Sequence, residues 1–296
     1  MSIIHDLTSE NLNTLKASPG IIRVGVLTPV NDQNEVKLCD RWVKPFLKAG
    51  IEVVRIPVQP IPLPGQDYQT PAKDIIANIH GLLLPGGHSN VHPSMYMQYV
   101  GTFDQQHELA RDMFAKELLI HAYEADLPTL GICRGMQEMM FTFGGVIHRL
   151  QNEKHRQGYL YDGDHQKMDE TVHDVIVQPE GHLSKLFGEQ ARFGVNSIHM
   201  EGVELPVWFS EACATLRALF LLEAISVDLD ADAPSSDDVV EGISAKGKAF
   251  FMGLQAHFEF EGLLHEKVFG SFFQFIEAYY KQRSSEKSLD LLTQSF

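Results

Sequence analysis

Short apolar runs alternate with amphipathic stretches through the first half of the chain. Ile21 to Leu27 is brief, rich in β-branched residues and closed by Thr28-Pro29, which predicts a buried strand. Leu38, Trp42, Val43, Phe46 and Leu47 then recur at helical spacing until Gly50 stops the helix. Ile51 to Ile56 predicts a second strand, Asp74 to Ile79 a short helix, and Gly81 to Leu84 a third strand running into Pro85-Gly86-Gly87. A longer helix over Asp104 to Ala125, a strand over Leu127 to Ile132 and a helix over Met136 to Phe143 complete this half. Strands separated by helices and short loops predict a parallel sheet covered on both faces.

Beyond Gly144-Gly145 the rhythm changes. Gln151 to Asp169 is polar, rich in His, Asp and Gln, and reads as an exposed loop. Strand-like runs follow with little helix between them: His173 to Val177, Phe193 to Ser197, Leu221 to Val227, Val239 to Ser244 and Ala249 to Leu254. An amphipathic helix over about Gly262 to Tyr280 precedes a polar tail at 282–296, and Met1 to Gly20 reads as a loose arm. No repeat or linker divides the chain. The expectation is one α/β domain with its core at about 21–281: a three-layer, doubly wound, mostly parallel sheet with extra β-strands in the second half.

Composition narrows the partners. Of 296 residues, 44% are apolar and 21% charged, a globular balance that excludes disordered, collagen-like and repeat architectures. With 24 basic against 39 acidic residues the formal net charge is −15, which repels phosphate backbones and anionic lipid. Neither nucleic acid nor membrane is therefore an expected partner. The acidic balance would suit a cationic small molecule, though a net charge says little about any one pocket, and a homodimer stays open. Cys39, Cys133 and Cys213 are far apart, fit no zinc or redox spacing, and point to a reducing compartment. Met1 to Gly20 lacks the apolar core and basic flank of a secretory leader, and no apolar run reaches the roughly 18 residues of a spanning helix. A cytoplasmic location is expected.

Three patterns invite other chemistry. Gly242 to Ala249 nearly spells a phosphate-binding loop, but Ala249 lacks the magnesium-binding hydroxyl and Phe250-Phe251-Met252 continues as strand, so a turn is expected. Asp228, Asp230, Asp232, Asp237 and Asp238 crowd one segment, yet Ala233 and Val239 occupy the places where a calcium loop needs Gly and Glu. His155, His165 and His173 could converge on a metal by folding together, but polar-loop histidines usually face water. No metal and no cofactor is expected.

One constellation stands above these. Gly131-Ile132-Cys133-Arg134-Gly135 follows a buried strand and precedes a helix-forming stretch, the arrangement of a nucleophile elbow with sulfur in the nucleophile's place. A residue on so sharp a turn projects its side chain, flanking glycines let the backbones pass closely, and the helix N-terminus favours a thiolate. An acyl-enzyme mechanism also needs a base, an orienter for that base and oxyanion donors. His257 and Glu259, two residues apart after the last strand, supply the base and its orienter if the backbone stays extended. Backbone N–H groups of Gly87 and Arg134 are the candidate oxyanion donors.

These segments keep an order along the chain that resembles the class I glutamine amidotransferase-like hydrolases, and within them the γ-glutamyl hydrolases of peptidase family C26. The matching segments are Gly81 to Pro93, Leu130 to Gln137 with Gly144-Gly145, Val195-Asn196-Ser197-Ile198-His199, Val240 to Ser244, and Gly253 to Glu259. The resemblance implies Cys133 as nucleophile, His257 as base and Glu259 as third member. It implies that Gly86 and Gln137 help seat a γ-glutamyl group, and that Asn196, Ser197 and His199 lie near the substrate. The implied activity is cofactor-free hydrolysis of a γ-glutamyl amide, such as γ-glutamyl-γ-aminobutyrate or another γ-glutamylated polyamine derivative, through a thioester. A glutaminase subunit, a γ-glutamyl transferase and a non-catalytic binding relative stay open as alternatives. The chain departs from the family in two places. Gln255-Ala256-His257-Phe258-Glu259 stands where the family has Gln-Trp-His-Pro-Glu, and the Asp-rich stretch at 228–238 exceeds the family's short turn.

Overall fold

The computed structural model describes residues 4–6, 20–28, 38–96, 107–150, 155, 168, 170–260 and 262–293. In chain order the strands are β1 (Ile4–Asp6), β2 (Arg23–Thr28), β3 (Glu52–Pro57), β4 (Gly81–Leu84), β5 (Thr129–Ile132), β6 (His148–Arg149), β7 (His173–Val177), β8 (Arg192–Val195), β9 (Glu201–Gly202), β10 (Phe220–Val227), β11 (Val240–Ala245) and β12 (Phe251–Leu254). Ten of them form one sheet in the order β1-β3-β2-β4-β5-β12-β11-β10-β7-β8, while β6 pairs with β9. From β1 to β12 neighbours are parallel, and from β12 to β8 they are antiparallel. The last strand of the chain thus lies between the two halves.

Side-chain alternation on the strands divides the core into two layers. Leu82 and Leu84 of β4 face one layer and Leu83 the other. The first layer is covered by α2 (Gln69–Ile76), α3 (Leu109–Glu124) and α4 (Arg134–Thr142), through residues such as Ile75, Phe114 and Met139. The second is covered by α1 (Asp40–Lys48) and, at the far end of the chain, a long helix over Leu263–Thr293, through Phe46, Phe269 and Phe272. Phe46 meets Phe269 and Phe272 edge-on, and Phe272 stacks on Phe250 at 5.2 Å. The result is the doubly wound α/β architecture that the sequence predicts. Among the described residues no helix is long and apolar enough to cross a membrane.

The departures have physical causes. The arm expected over Met1 to Gly20 is not loose at Ile4–Asp6, where Ile4 pairs opposite Val53 on the edge of β3. Three residues carry no periodic signal, and only the waiting edge makes them a strand. The polar tail expected at 282–296 continues the last helix to Thr293. Gln282 bonds Glu286 at i, i+4, which supports the helix, and the hydroxyls of Ser284 and Ser285 donate to carbonyls one turn back. The helix expected over Asp74 to Ile79 lies at Gln69–Ile76, with Pro71 tolerated in its first turn. Short helices that the sequence did not announce fill the second half: α5 (His182–Phe187), α6 (Leu205–Phe209) and α7 (Ala214–Leu219), with α8 then the long closing helix. The expected start of α3 at 104–106 and nearly all of the loop at 151–169 lie outside the described residues. The Lys246-Gly247-Lys248 segment is a turn between β11 and β12, as expected, and the Asp-rich stretch links β10 to β11. There Asp238 is buried, accepting from Ser226 Oγ and Ser235 N.

Candidate active site

Three adjacent parallel strands bring the site together. Leu84 of β4 pairs with Gly131 of β5, and Ile132 of β5 with Leu254 of β12, so the loops after all three strands leave from one edge. Those loops are Pro85-Gly86-Gly87, Cys133 and Gln255 to Glu259. Cys133 has φ 52° and ψ −107°, a region that a β-carbon resists, and its N–H donates to Leu254 O at 2.7 Å. The glycines on either side follow from packing. A β-carbon on Gly131 would meet Gly135 O at 2.6 Å, and one on Gly135 would meet Leu84 O at 2.1 Å. Both contacts are to backbone, so neither can relax by a rotamer change.

The position that a β-carbon would take on Gly86 is 3.0 Å from His257 Cε1 and 3.6 Å from Cys133 Cβ. Cys133, the candidate base His257 and the glycine loop therefore enclose one small volume. His257 Nδ1 bonds Glu259 Oε1 at 2.7 Å, which leaves Nε2 available toward the sulfur. The pair does not lie on a strand as the i, i+2 argument supposed. β12 ends at Leu254, and a bend closed by Phe258 N donating to Ala256 O at 3.2 Å achieves the same meeting. Asn196 clamps the bend from outside: His257 N donates to Asn196 Oδ1 at 2.8 Å, and Asn196 Nδ2 to His257 O at 3.2 Å. Burial opposes a charge on His257, but the attraction of Glu259 and Cys133, with hydrogen bonding to both, outweighs it. Its pKa lies well above the usual imidazole value.

Beneath the elbow lies a buried ionic network that no sequence pattern announces. Arg134 Nη2 bonds Asp112 Oδ1 at 2.6 Å, and Arg134 Nη1 bonds Glu108, which also accepts from Ser89 Oγ. Arg111, fully buried, bonds Glu138 Oε1 at 2.7 Å and Pro85 O at 2.7 Å. A β-carbon on Gly87 would strike Arg111 Nη1 at 2.8 Å. The network thus fixes the glycine loop to the helix that carries the elbow. Burial raises the carboxyl pKa values of Asp112 and Glu138 despite the facing arginines.

The remaining expected residues are turned toward the protein. Gln137 Nε2 donates to Glu201 O at 2.8 Å and to Gln255 Oε1 at 3.3 Å. Ser197 Oγ donates to His155 O at 3.2 Å, and His199 Nδ1 to Glu201 O at 3.0 Å. His155 and His173 do converge, as the sequence allowed, but with His199 and Glu241; His165 lies outside the described residues.

The site thus combines a doubly wound sheet, a cysteine at a strand-to-helix elbow and a histidine–carboxylate pair after the neighbouring parallel strand. Solved structures share the fold. The glutaminase domain of Trypanosoma brucei CTPS superposes with a TM-score of 0.57 over 88% of this chain and 94% of its own, at 17% identity. Thermotoga maritima PurLQS gives 0.52 over 88% and 99%, at 16% identity. The chain belongs to the Peptidase C26 family, which it matches over residues 24–259. Among its relatives is the γ-glutamyl-γ-aminobutyrate hydrolase of Escherichia coli O157:H7, 30% identical over 190 residues; the match covers 62% of this chain and 66% of that enzyme, just under two thirds.

Proposed function

We propose that the protein is a cysteine hydrolase of small γ-glutamyl amides. The observation that carries this reading is the strained Cys133 beside a His257 held by Glu259. With its proton passed to His257, whose raised pKa favours the imidazolium, the sulfur of Cys133 attacks the γ-carbonyl carbon. Backbone N–H groups of Gly87 and Arg134 hold the oxygen as it gains charge. The C–N bond then breaks, His257 returns the proton to the departing amine, and a γ-glutamyl thioester remains on Cys133. Water, deprotonated by His257, attacks the thioester and releases glutamate with the thiol restored. Likeness to a γ-glutamyl-γ-aminobutyrate hydrolase supports γ-glutamyl-γ-aminobutyrate or a related γ-glutamylated amine as substrate. A reducing cytoplasm would keep the nucleophile as a thiol.

A panel of γ-glutamyl amides, γ-glutamyl-γ-aminobutyrate and glutamine among them, read by glutamate release, tests the reading. The isolated chain is expected to turn over at least one amide, and Cys133→Ala to lose several orders of magnitude in kcat. Turnover of none, or full turnover by Cys133→Ala, overturns it. Turnover of glutamine alone, and only with a partner added, would make the chain an ammonia-supplying glutaminase instead.

A further inference from the structure

Outside the catalytic loops, four groups that ordinarily seek water or a partner face one another in the interior. His155, His173, His199 and Glu241 are 0%, 1%, 3% and 2% exposed. His173 Nε2, His199 Nε2 and His155 Nδ1 lie 3.4, 3.7 and 3.8 Å from Glu241 Oε1. One donor atom from each residue can be taken so that all lie within 4.8 Å of one another. Among the described residues, neither oxygen of Glu241 nor Nε2 of His173 or His199 makes a hydrogen bond. A buried carboxylate left so is expensive, and such groups are usually satisfied by something.

The tautomers are already set for a metal. His173 Nδ1 is 3.0 Å from Asp174 O, and His199 Nδ1 is 3.0 Å from Glu201 O. A carbonyl can only accept, so both Nδ1 atoms carry hydrogen, and in the neutral imidazole the Nε2 atom, which lies on the Glu241 side, is then the one with a lone pair for a metal. Outer carbonyls that orient metal-bound imidazoles in this way are a regular part of such sites. Four donors on a tetrahedral ion with bonds of about 2.0–2.1 Å stand about 3.3 Å apart. The separations to Glu241 need only a small contraction to reach that geometry.

We propose that His155, His173, His199 and Glu241 form a closed, four-coordinate structural site for one zinc ion. Three imidazoles and one carboxylate suit zinc, and a fully protein-ligated, buried site leaves no position for substrate. Its place in the fold gives it a task. Glu241 O accepts from Gln255 N at 2.9 Å, and His199 follows the Asn196 clamp on His257 by three residues. The ion would join β7, β11 and the loop after β8 behind the catalytic bend. It acts on His257 through packing, without touching the reacting atoms.

The full chain, purified without a histidine tag and dialysed against chelator, is to be incubated with zinc and freed of excess by gel filtration. One equivalent of zinc per chain is expected by mass spectrometry, with a higher Tm than the chelated protein. Cys133→Ala is expected to keep that equivalent, which separates this site from metal captured at the catalytic sulfur. Glu241→Gln and His199→Ala are expected to weaken zinc binding by more than about 100-fold. Should those variants fail to fold, cobalt in the wild-type chain gives an independent reading. A tetrahedral visible spectrum without a sulfur charge-transfer band supports the site, and a band from sulfur overturns it. Less than stoichiometric zinc with no change in Tm, zinc lost in Cys133→Ala, or zinc held undiminished by folded Glu241→Gln also overturns it.

Discussion

At the scale of single residues, the elbow sets strain against reactivity. Cys133 holds φ 52° and ψ −107°, a conformation that penalises a β-carbon by about 1–3 kcal/mol. Cys133→Gly and Cys133→Ala should both be inactive, yet the glycine variant should be the more stable by about 1 kcal/mol in denaturant unfolding, despite its greater unfolded entropy. A glycine variant less stable than the alanine variant would mean that the turn stores no strain. His257 gives a pH signature. Its folded pKa is raised above the unfolded value of about 6.5, so the folded chain binds more protons between the two. The stability that it contributes is complete below about pH 6.5 and is lost as pH rises through the folded pKa. Glu259→Gln removes a main cause of the shift and should bring the His257 NMR titration down toward the ordinary value.

At the scale of elements, contact distances separate glycines that the sequence alone treats alike. Gly135→Ala forces a β-carbon against the backbone of β4 and should cost about 3 kcal/mol or more, with activity lost as the elbow moves. Gly270 of α8 has open space around it, so Gly270→Ala should instead stabilise by up to about 1 kcal/mol. Thermal or urea unfolding of the two variants decides both. This contrast also marks how far the sequence could be read. Leu82, Leu83 and Leu84 declare a strand buried on both faces wherever they occur, and Gly-x-Cys-x-Gly after such a strand declares its turn. Arg111 and Asp112 declare nothing. Charged residues on a helix ordinarily face water, and only the tertiary partners Glu138 and Arg134 explain why these two are inside. α5 to α7 are too short for a helical period, and β1 exists because β3 offers it an edge. The substrate-facing role implied for His199 likewise could not be weighed until Glu241 was placed beside it.

At the scale of the molecule, two connections tie scaffold to site. Arg111→Met would leave Glu138 buried with only Arg134, 3.7 Å away, to face it, which should cost up to about 3–5 kcal/mol, and would release Pro85 with the glycine loop. A larger drop in kcat than in substrate affinity is expected, measured beside the unfolding midpoint. Phe272→Ala opens a void where α8 meets Phe46 and Phe250, and should destabilise by about 3–5 kcal/mol in urea.

The central place of β12 has a consequence for biosynthesis. A ribosome completes the sulfur-bearing turn more than a hundred residues before it reaches the strand that delivers the imidazole. That segment sits between β5 and β11, so the parallel and antiparallel halves of the sheet meet only through it. Closing the seam between them is also the step that brings the imidazole of His257 to the sulfur of Cys133.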